Sequence, residues 1–435
     1  MQNEAESQPS SLPQNSDDPN QPSSVINIDN SPVGVVAGIN YGTITTNNFY
    51  NSEKKLLEKS PPRVWLPTNK SELCQYFEIE LNLRGIVTRS EYATDYDYYV
   101  VWFNECEPAQ HDHIQLPWIQ NNIAQQKVVF TENLASIHPA YQYICKSLVN
   151  SDQGKSIDSK NTAQAHAKAL AKQLIADKFK HNSNALALEF QSERPFNPPI
   201  EADLALDWYA YQQNVNPKAD TWERGQEALY DLREWIGDVH PLTLSTKCLG
   251  YFPALLFGSI FYRTSAYKLK VLNYDNEWQL SIHANPSDRL EYSMHTFDEN
   301  LTNCILNICI VNSQPSNLVI QEMNIYSSKY IKDIGIIISI YPKDHHILEI
   351  TDSNQASEIV SFIISTISKL PKRYQTYQLL ISAPVALIVL LGQRLNGYRS
   401  WLFHEHIKAA TEPTEPDCTY QLINFPIIAQ ANPNR

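Results

Sequence analysis

Two short strings carry residue types suited to holding an anion at the end of a strand. In the first, Ser245-Thr246-Lys247 closes the apolar run Val239–Ser245 and precedes a helix opening at Pro253. In the second, Ser382, Ala383 and Pro384 close the run Gln378–Ser382 and open another helix. A strand that turns directly into a helix points unpaired backbone N–H groups and a partial positive charge past its carboxyl end. Lys247 is the one cation in these turns, and it is assigned a phosphate contact. Tyr251 and Trp278 come after the first turn with flat rings, and Arg394 comes after the second helix within reach of the same pocket.

Other constellations approach catalytic patterns. Asp158-Ser159-Lys160, with Asp97 or Asp112 as a distant acid, matches the acid and acid-x-Lys arrangement of a metal-dependent nuclease, but it is read as a solvated loop with no strand around it. His111 and His113 with Cys106 approach metal-ligand spacing, yet no second pair lies near them. Gly154-Lys155-Ser156 ends like a phosphate loop, but Val149 stands where the first glycine belongs. No catalytic set is recognised, and neither a cofactor nor a metal is expected. His404-Glu405-His406 reads as polarity at a strand end.

The elements that position these residues are read from spacing. Leu73, Tyr76, Phe77, Glu80 and Leu83 predict a helix over 71–83 with Ser71 as its cap and Gly85 as its stop. Strands are expected at 86–88, 98–103 and 127–131, and a helix at Pro139–Leu148, giving a small α/β module over 60–150. A helical seam from Ala163 to Phe179 predicts a linker helix over 160–182. Beyond it are expected a strand at 185–190, a helix at 219–236, and strands at 269–272, 334–341 and 400–403. The order strand, small polar residue, Pro-initiated helix with Ala-Leu and Gly, strand, aromatic occurs twice. Pro253-Ala254-Leu255-Leu256-Phe257-Gly258 matches Pro384-Val385-Ala386-Leu387 with Leu391-Gly392. This is a duplicated Rossmann-like half.

Ahead of these units, residues 1–24 are rich in Gln, Asn, Ser and Pro and contain no Lys or Arg, so a disordered tail is expected. Residues 25–52 alternate Ile and Val with Asn, Gly and Thr, and Gly34, Gly38 and Gly42 recur every fourth position. Such a segment pairs with copies of itself. It resembles the amyloid signalling motifs of bacterial immune proteins; a sticky linker or a hairpin is the other reading. The formal charge of −13 argues against broad nucleic-acid binding, which depends on Lys and Arg. Seven scattered Cys without a CxxC pair give no disulfide framework. With no signal peptide and no apolar run long enough to cross a bilayer, the protein is expected to be cytoplasmic.

The string Leu380–Leu387, its continuation Leu390–Asn396 and the strand Trp401–His404 resemble the closing motif of the SAVED domain family. His240–Tyr262 and Tyr274–Trp278 fit that family's front half. The resemblance covers 185–430 and implies two fused units similar to CARF domains, which read cyclic oligoadenylates in bacterial antiphage defence. The expected fold class is therefore α/β, a C-terminal pair of Rossmann-like units preceded by a small α/β module and the disordered tail. The implied ligand is a cyclic di- or trinucleotide made by a cognate cGAS-like synthase, with Tyr251 and Trp278 either stacking on bases or packing as core. The implied response is homo-oligomerisation that activates an effector. Two rival readings stand beside it: a nuclease with its active site in residues 60–185, which alone would bring nucleic acid as a partner, and a non-catalytic adaptor assembling through residues 25–50.

Overall fold

Ser71 caps the first helix, α1 (Glu72–Leu83): its Oγ accepts the Cys74 N–H at 3.1 Å. The bond satisfies an amide that has no partner within the first helical turn. Gly85 ends the segment at φ +85°, a left-handed conformation that side chains rarely adopt. The computed structural model describes residues 35–36, 39–40, 60–67, 70–90, 96–103, 127–132, 154–179, 186–192, 202–209, 219–236, 241–261, 268–273, 276–281, 283–310, 316–374, 376–395, 400–406 and 420–427. The chain divides into Met1–Glu58 and Lys59–Arg435. In the first unit, β1 (Val35–Val36) pairs antiparallel with β2 (Ile39–Asn40). The expected disordered tail, the rest of the Gly/Asn-rich segment and the helix expected at Pro139–Leu148 lie outside the described residues.

Among its described residues the second unit contains three sheets whose parallel strands share one order. The first consists of β3 (Arg63–Trp65), β4 (Val87–Arg89), β5 (Tyr98–Phe103), β6 (Lys127–Glu132) and β7 (Gly154–Ile157), all parallel, in the order β4-β3-β5-β6-β7. The second consists of β8 (Leu186–Gln191), β9 (Leu204–Asp207), β10 (Leu242–Ser245), β11 (Leu269–Asn273) and β12 (Asn276–Gln279), in the order β9-β8-β10-β11-β12 with only β12 antiparallel. The third contains β13 (Leu290–Thr296), β14 (Asn303–Cys309), β15 (Ile334–Pro342), β16 (Thr376–Ser382), β17 (Ser400–His406) and β18 (Tyr420–Ile427), in the order β13-β15-β14-β16-β17-β18. Its four inner strands are parallel and both edges antiparallel. In each sheet the second parallel strand lies on one side of the first, and the third and fourth on the other. That is the doubly wound order, in which the winding reverses between the first and third strands.

The front module is packed onto the second sheet and its helices. Helix α2 (Lys160–Phe179) buries Ala163, Ala167, Leu170, Ala171, Leu174 and Ile175 and packs on α1. Lys168 on α2 pairs with Asp231 on α3 (Ala219–Ile236), so the expected linker helix is a packed element. Arg84, wholly buried, bridges Glu80 and Asp231, and Arg224 also pairs with Glu80. The Ala205 N–H donates to the Gly85 carbonyl at 3.3 Å, joining β9 to the turn before β4.

The remaining helices are α4 (Tyr251–Ile260), α5 (Ser316–Tyr330), α6 (Ser353–Ser368) and α7 (Val385–Leu395). Helix α6 starts at Asp352, whose carboxylate accepts the Asn354 and Gln355 N–H groups. Strand β15 is buried along nearly its whole length, as a central parallel strand covered on both faces must be. The main core runs through all three sheets, and a smaller one, around Ile305, Met323 and Ile337, lies under α5. Among the described residues, no helix is long and apolar enough to cross a membrane.

Candidate functional site

Helices α4 and α7 leave the third parallel strands of the second and third sheets, β10 and β16, and they pack directly against each other. The two glycines matched in the sequence are the contact point. A Cβ at Gly258 would stand 2.1 Å from the Val389 carbonyl oxygen, and one at Gly392 would stand 2.5 Å from the Leu255 oxygen. No side chain fits there, so glycine is what permits the two backbones to approach.

Contacts at either end of the pair fix its polarity. At the start of α4, a Cβ at Gly250 would lie 3.6 Å from Glu405 Oε1. Glu405 comes directly after His404 on β17, which pairs in parallel with Leu380 on β16, so it sits toward the carboxyl ends of the third sheet, where α7 begins. At the other end of the pair, Gln393 Nε2 donates to the Phe261 carbonyl at 2.9 Å. The two helices therefore run side by side in the same direction. Their N-termini, with Ser245 just before one and Ser382 just before the other, open at one end of the molecule.

The expected site residues divide according to their surroundings. Ser245, Tyr251, Ser382 and Pro384 are half-buried and Lys247 is exposed, all at this shared end. Thr246 is buried and donates its hydroxyl hydrogen to the Leu272 carbonyl at 2.7 Å, tying the end of β10 to β11. Ala383 is buried, and the Ser382 carbonyl accepts the Ile310 N–H, joining the ends of β16 and β14. Trp278 departs from the stacking alternative. It is 0% exposed, opposite Val271 in the β11–β12 ladder, and its indole N–H finds no acceptor among the described residues. A ring with no open face packs and does not stack on a ligand. Arg394 also departs from its expected place. It lies in the last turn of α7, nine residues and about 14 Å from that helix's start at 1.5 Å per residue, and so at the opposite end from Ser382.

The same end gathers residues that sequence reasoning missed. The Gly250 N–H donates to Ser192 Oγ at 2.7 Å, and the Ser192 N–H to the Cys248 carbonyl, so the end of β8 holds the turn that starts α4. Ser192 comes just after a strand that was legible; what was missing was the strand order that sets β8 beside β10. Burial pushes the Tyr420 phenol above its ordinary range, with Cys309, Glu322 and Tyr251 adding to the effect. Tyr251 thus stands near residues of the third sheet although it starts a helix of the second. His404 is buried, with Nδ1 3.1 Å from the Tyr326 hydroxyl and Nε2 2.8 Å from Gln378 Oε1. Burial lowers its pKa to about 4, so the imidazole is neutral, accepting from Tyr326 and donating to Gln378.

The nuclease constellation is not assembled. Asp158 does come after a strand, β7, contrary to the loop expected there. Its carboxylate accepts from Ser159 Oγ and Thr162 Oγ1 at the start of α2, and these bonds lower its pKa. Lys160 turns to Glu72 at 2.5 Å. Asp97 accepts the Arg63 N–H at the amino end of β5, whereas Asp158 lies past the carboxyl end of parallel β7. The two acids are at opposite ends of one sheet and cannot share a metal. Gly154, Lys155 and Ser156 lie within β7 itself, which rules out a phosphate loop. Asp112, Cys106, His111 and His113 lie outside the described residues.

Residues 253–413 match the family profile of the SMODS-associated and fused to various effectors sensor domain, SAVED. This span of the chain is similar to the SAVED sensor domain. The matched span begins in α4 and takes in the third sheet through β17. The three parallel strands β8, β9 and β10 before it belong to the same sheet as β11 and β12 inside it. Among solved structures, the chain is similar to the Cap4 SAVED/CARF-domain containing receptor of Acinetobacter baumannii with the cyclic trinucleotide 3'3'3'-cAAA. That match has 11% identity and a TM-score of 0.46, and covers 82% of this chain and 97% of that one. It is also similar to the Moraxella osloensis Cap4 SAVED/CARF-domain containing receptor, with 12% identity and a TM-score of 0.40, covering 82% and 87%. No curated protein matches.

Proposed function

We propose that residues 185–430 form a receptor for a cyclic di- or trinucleotide of antiphage signalling, supplied by a cGAS-like synthase. The observation that carries the reading is the same-direction packing of α4 and α7 through Gly258 and Gly392, which opens two strand-to-helix turns at one end. In open α/β sheets, ligands bind beyond the carboxyl ends of the strands where the winding reverses. Two such ends side by side suit a ring of phosphodiesters better than a single nucleotide. In this reading Lys247 contacts a phosphate, Ser245 and Ser382 line the ring, Tyr251 stacks on a base, and Thr246, Ala383 and Pro384 shape the turns. Trp278 and Arg394 have no part in it.

Binding would favour an oligomer and so change the state of the front module, residues 60–150 with its packed helix α2, which acts as effector or recruits one. The SAVED match, a sensor domain by its description, supports this assignment. Calorimetry of the full chain with a panel of cyclic di- and trinucleotides tests it. The expected result is one member bound more tightly than about 10 μM. If no member binds at that level, the receptor reading is wrong.

A further inference from the structure

Strand β13 is one edge of the third sheet, and every residue from Tyr292 to Asn300 is exposed. Three of the eight large apolar side chains exposed among the described residues fall in this stretch: Tyr292, Met294 and Phe297, at 38%, 56% and 48%. An edge strand offers a row of unpaired backbone N–H and C=O groups, and proteins blunt it with Lys, Pro, a bulge or a covering element. Leu290–Thr296 contains no Lys, Arg or Pro, and its seven residues pair with β15 without a shift in register. With Tyr292–Thr296 all exposed, no described element covers this edge.

The ladder itself decides which backbone groups are open. The Phe297 N–H donates to the Gly335 carbonyl, and the Arg289 carbonyl accepts the Lys343 N–H, each at 3.0 Å. Odd-numbered residues of the strand therefore bond to β15, and alternation turns the N–H and C=O groups of Tyr292, Met294 and Thr296 outward. Let a second β13 run antiparallel to the first about a twofold axis at Ser293. Tyr292 then lies opposite the partner's Met294, outward groups meet outward groups, and the same pair recurs by symmetry. Tyr292 keeps its ring contact with Phe362 on α6, because the partner arrives from the edge. On the other face Glu291 lies opposite the partner's His295, a carboxylate acceptor facing an imidazole donor, and such cross-strand pairs stabilise a sheet. His295 is exposed and stands edge-on to Phe297, its neighbour on that face. A twofold interface must be complementary to itself, and in this register the strand is. A slip of one residue would set outward residues against inward ones and lose the backbone bonds.

We propose that the open edge of β13 is the surface through which two copies of this chain pair, continuing the third sheet across a twofold axis at Ser293. The proposal rests on the receptor reading only for its purpose, which is to bring two receptors together.

Analytical ultracentrifugation and disulfide cross-linking of the full chain without ligand test it. The expected wild-type result is a dimer at micromolar concentration. Met294→Pro removes an outward N–H and spares the bonds to β15, since an edge strand tolerates proline where its nitrogen faces out. It should weaken pairing about 10-fold or more. Met294→Lys, which puts a charge on the edge, should do the same and serves if proline disturbs the strand. Under mild oxidation Ser293→Cys should give a disulfide-linked dimer, because Cα atoms facing each other there would be about 4.5 Å apart. His295→Cys should not, its two copies being about 14 Å apart along the strands. A wild-type chain that stays monomeric at about 100 μM, a level at which only very weak pairs escape detection, overturns the proposal. So does a dimer that a folded Met294 variant leaves unchanged, or a cross-link no stronger at 293 than at 295. Calorimetry keeps the two readings apart: nucleotide bound by a monomeric chain defeats the pairing alone, and a dimer that binds no nucleotide defeats the receptor alone.

Discussion

The Arg84 guanidinium, at the end of α1, donates to Asp231 on α3 at 2.8 and 3.1 Å, and no part of the arginine side chain reaches solvent. Glu80 accepts its remaining side and also pairs with Arg224. Two arginines and two carboxylates thus join the front module to the second sheet. Without Arg84, Glu80 keeps only Arg224 and Asp231 only Lys168, so the loss falls below about 3–5 kcal/mol, the cost of a buried charge left with no partner. Arg84→Met should therefore lower the denaturant midpoint of the whole Lys59–Arg435 unit in a single transition. Two separate transitions in the wild type would show that the module and the sensor are not joined as described.

Gly258 and Gly392 make a second prediction. Alanine at either position puts a methyl carbon inside contact distance of the facing helix's backbone, and backbone cannot rotate away as a side chain can. Overpacking a core costs about 1–3 kcal/mol, and this contact belongs at the upper end. Gly258→Ala and Gly392→Ala should each lower the midpoint of thermal unfolding by several degrees, and the double variant by less than the sum, because one separation of the helices relieves both clashes. Additive effects would mean that the glycines do not share a contact.

Lys247, in the turn before α4, and Arg394, in the last turn of α7, mark the two ends of the paired helices. Reversing the exposed charge at Lys247 should weaken binding of the best cyclic nucleotide found by calorimetry about 10-fold or more. Arg394→Glu should change it less than about 3-fold, since the residue lies at the far end of its helix. Equal losses in the two variants would relocate the site.

How much of this was legible beforehand depended on whether a segment buries one face or two. The α1 cap, the Ala219–Ile236 helix and the Gly258/Gly392 match could be read because each leaves a local signature: a cap residue, a helical period, a repeated string. The apolar run 334–341 reads as the strand that is β15, but β14, buried on both faces, shows no alternation, and it and the helices α5 and α6 went unread. Strands β3 and β7 have three and four residues, too short to show a period, and the polar string Gly154–Ile157 concealed the strand before Asp158. Trp278 was ambiguous because its face is set by pairing with β11. Arg394 was misplaced for a simpler reason: the length of its own helix carries it away from the strand end.

His404 gives the last prediction. Its imidazole is buried between Tyr326 and Gln378, and burial lowers its pKa from the ordinary 6.5 to about 4. The folded chain thus keeps this histidine neutral where the unfolded chain would protonate it. Between pH 6.5 and 4 the unfolded state binds the extra proton, so stability falls as pH falls through that window and is unaffected by this group above it. The shift corresponds to a loss on the order of 3 kcal/mol by the bottom of the window. Glutamine at 404 retains a donor and an acceptor but does not titrate. Urea unfolding at pH 7 and pH 5 should show a smaller acid loss in His404→Gln than in the wild type, even if the variant is the less stable at pH 7. Parallel losses in the two proteins would place the acid-labile group elsewhere.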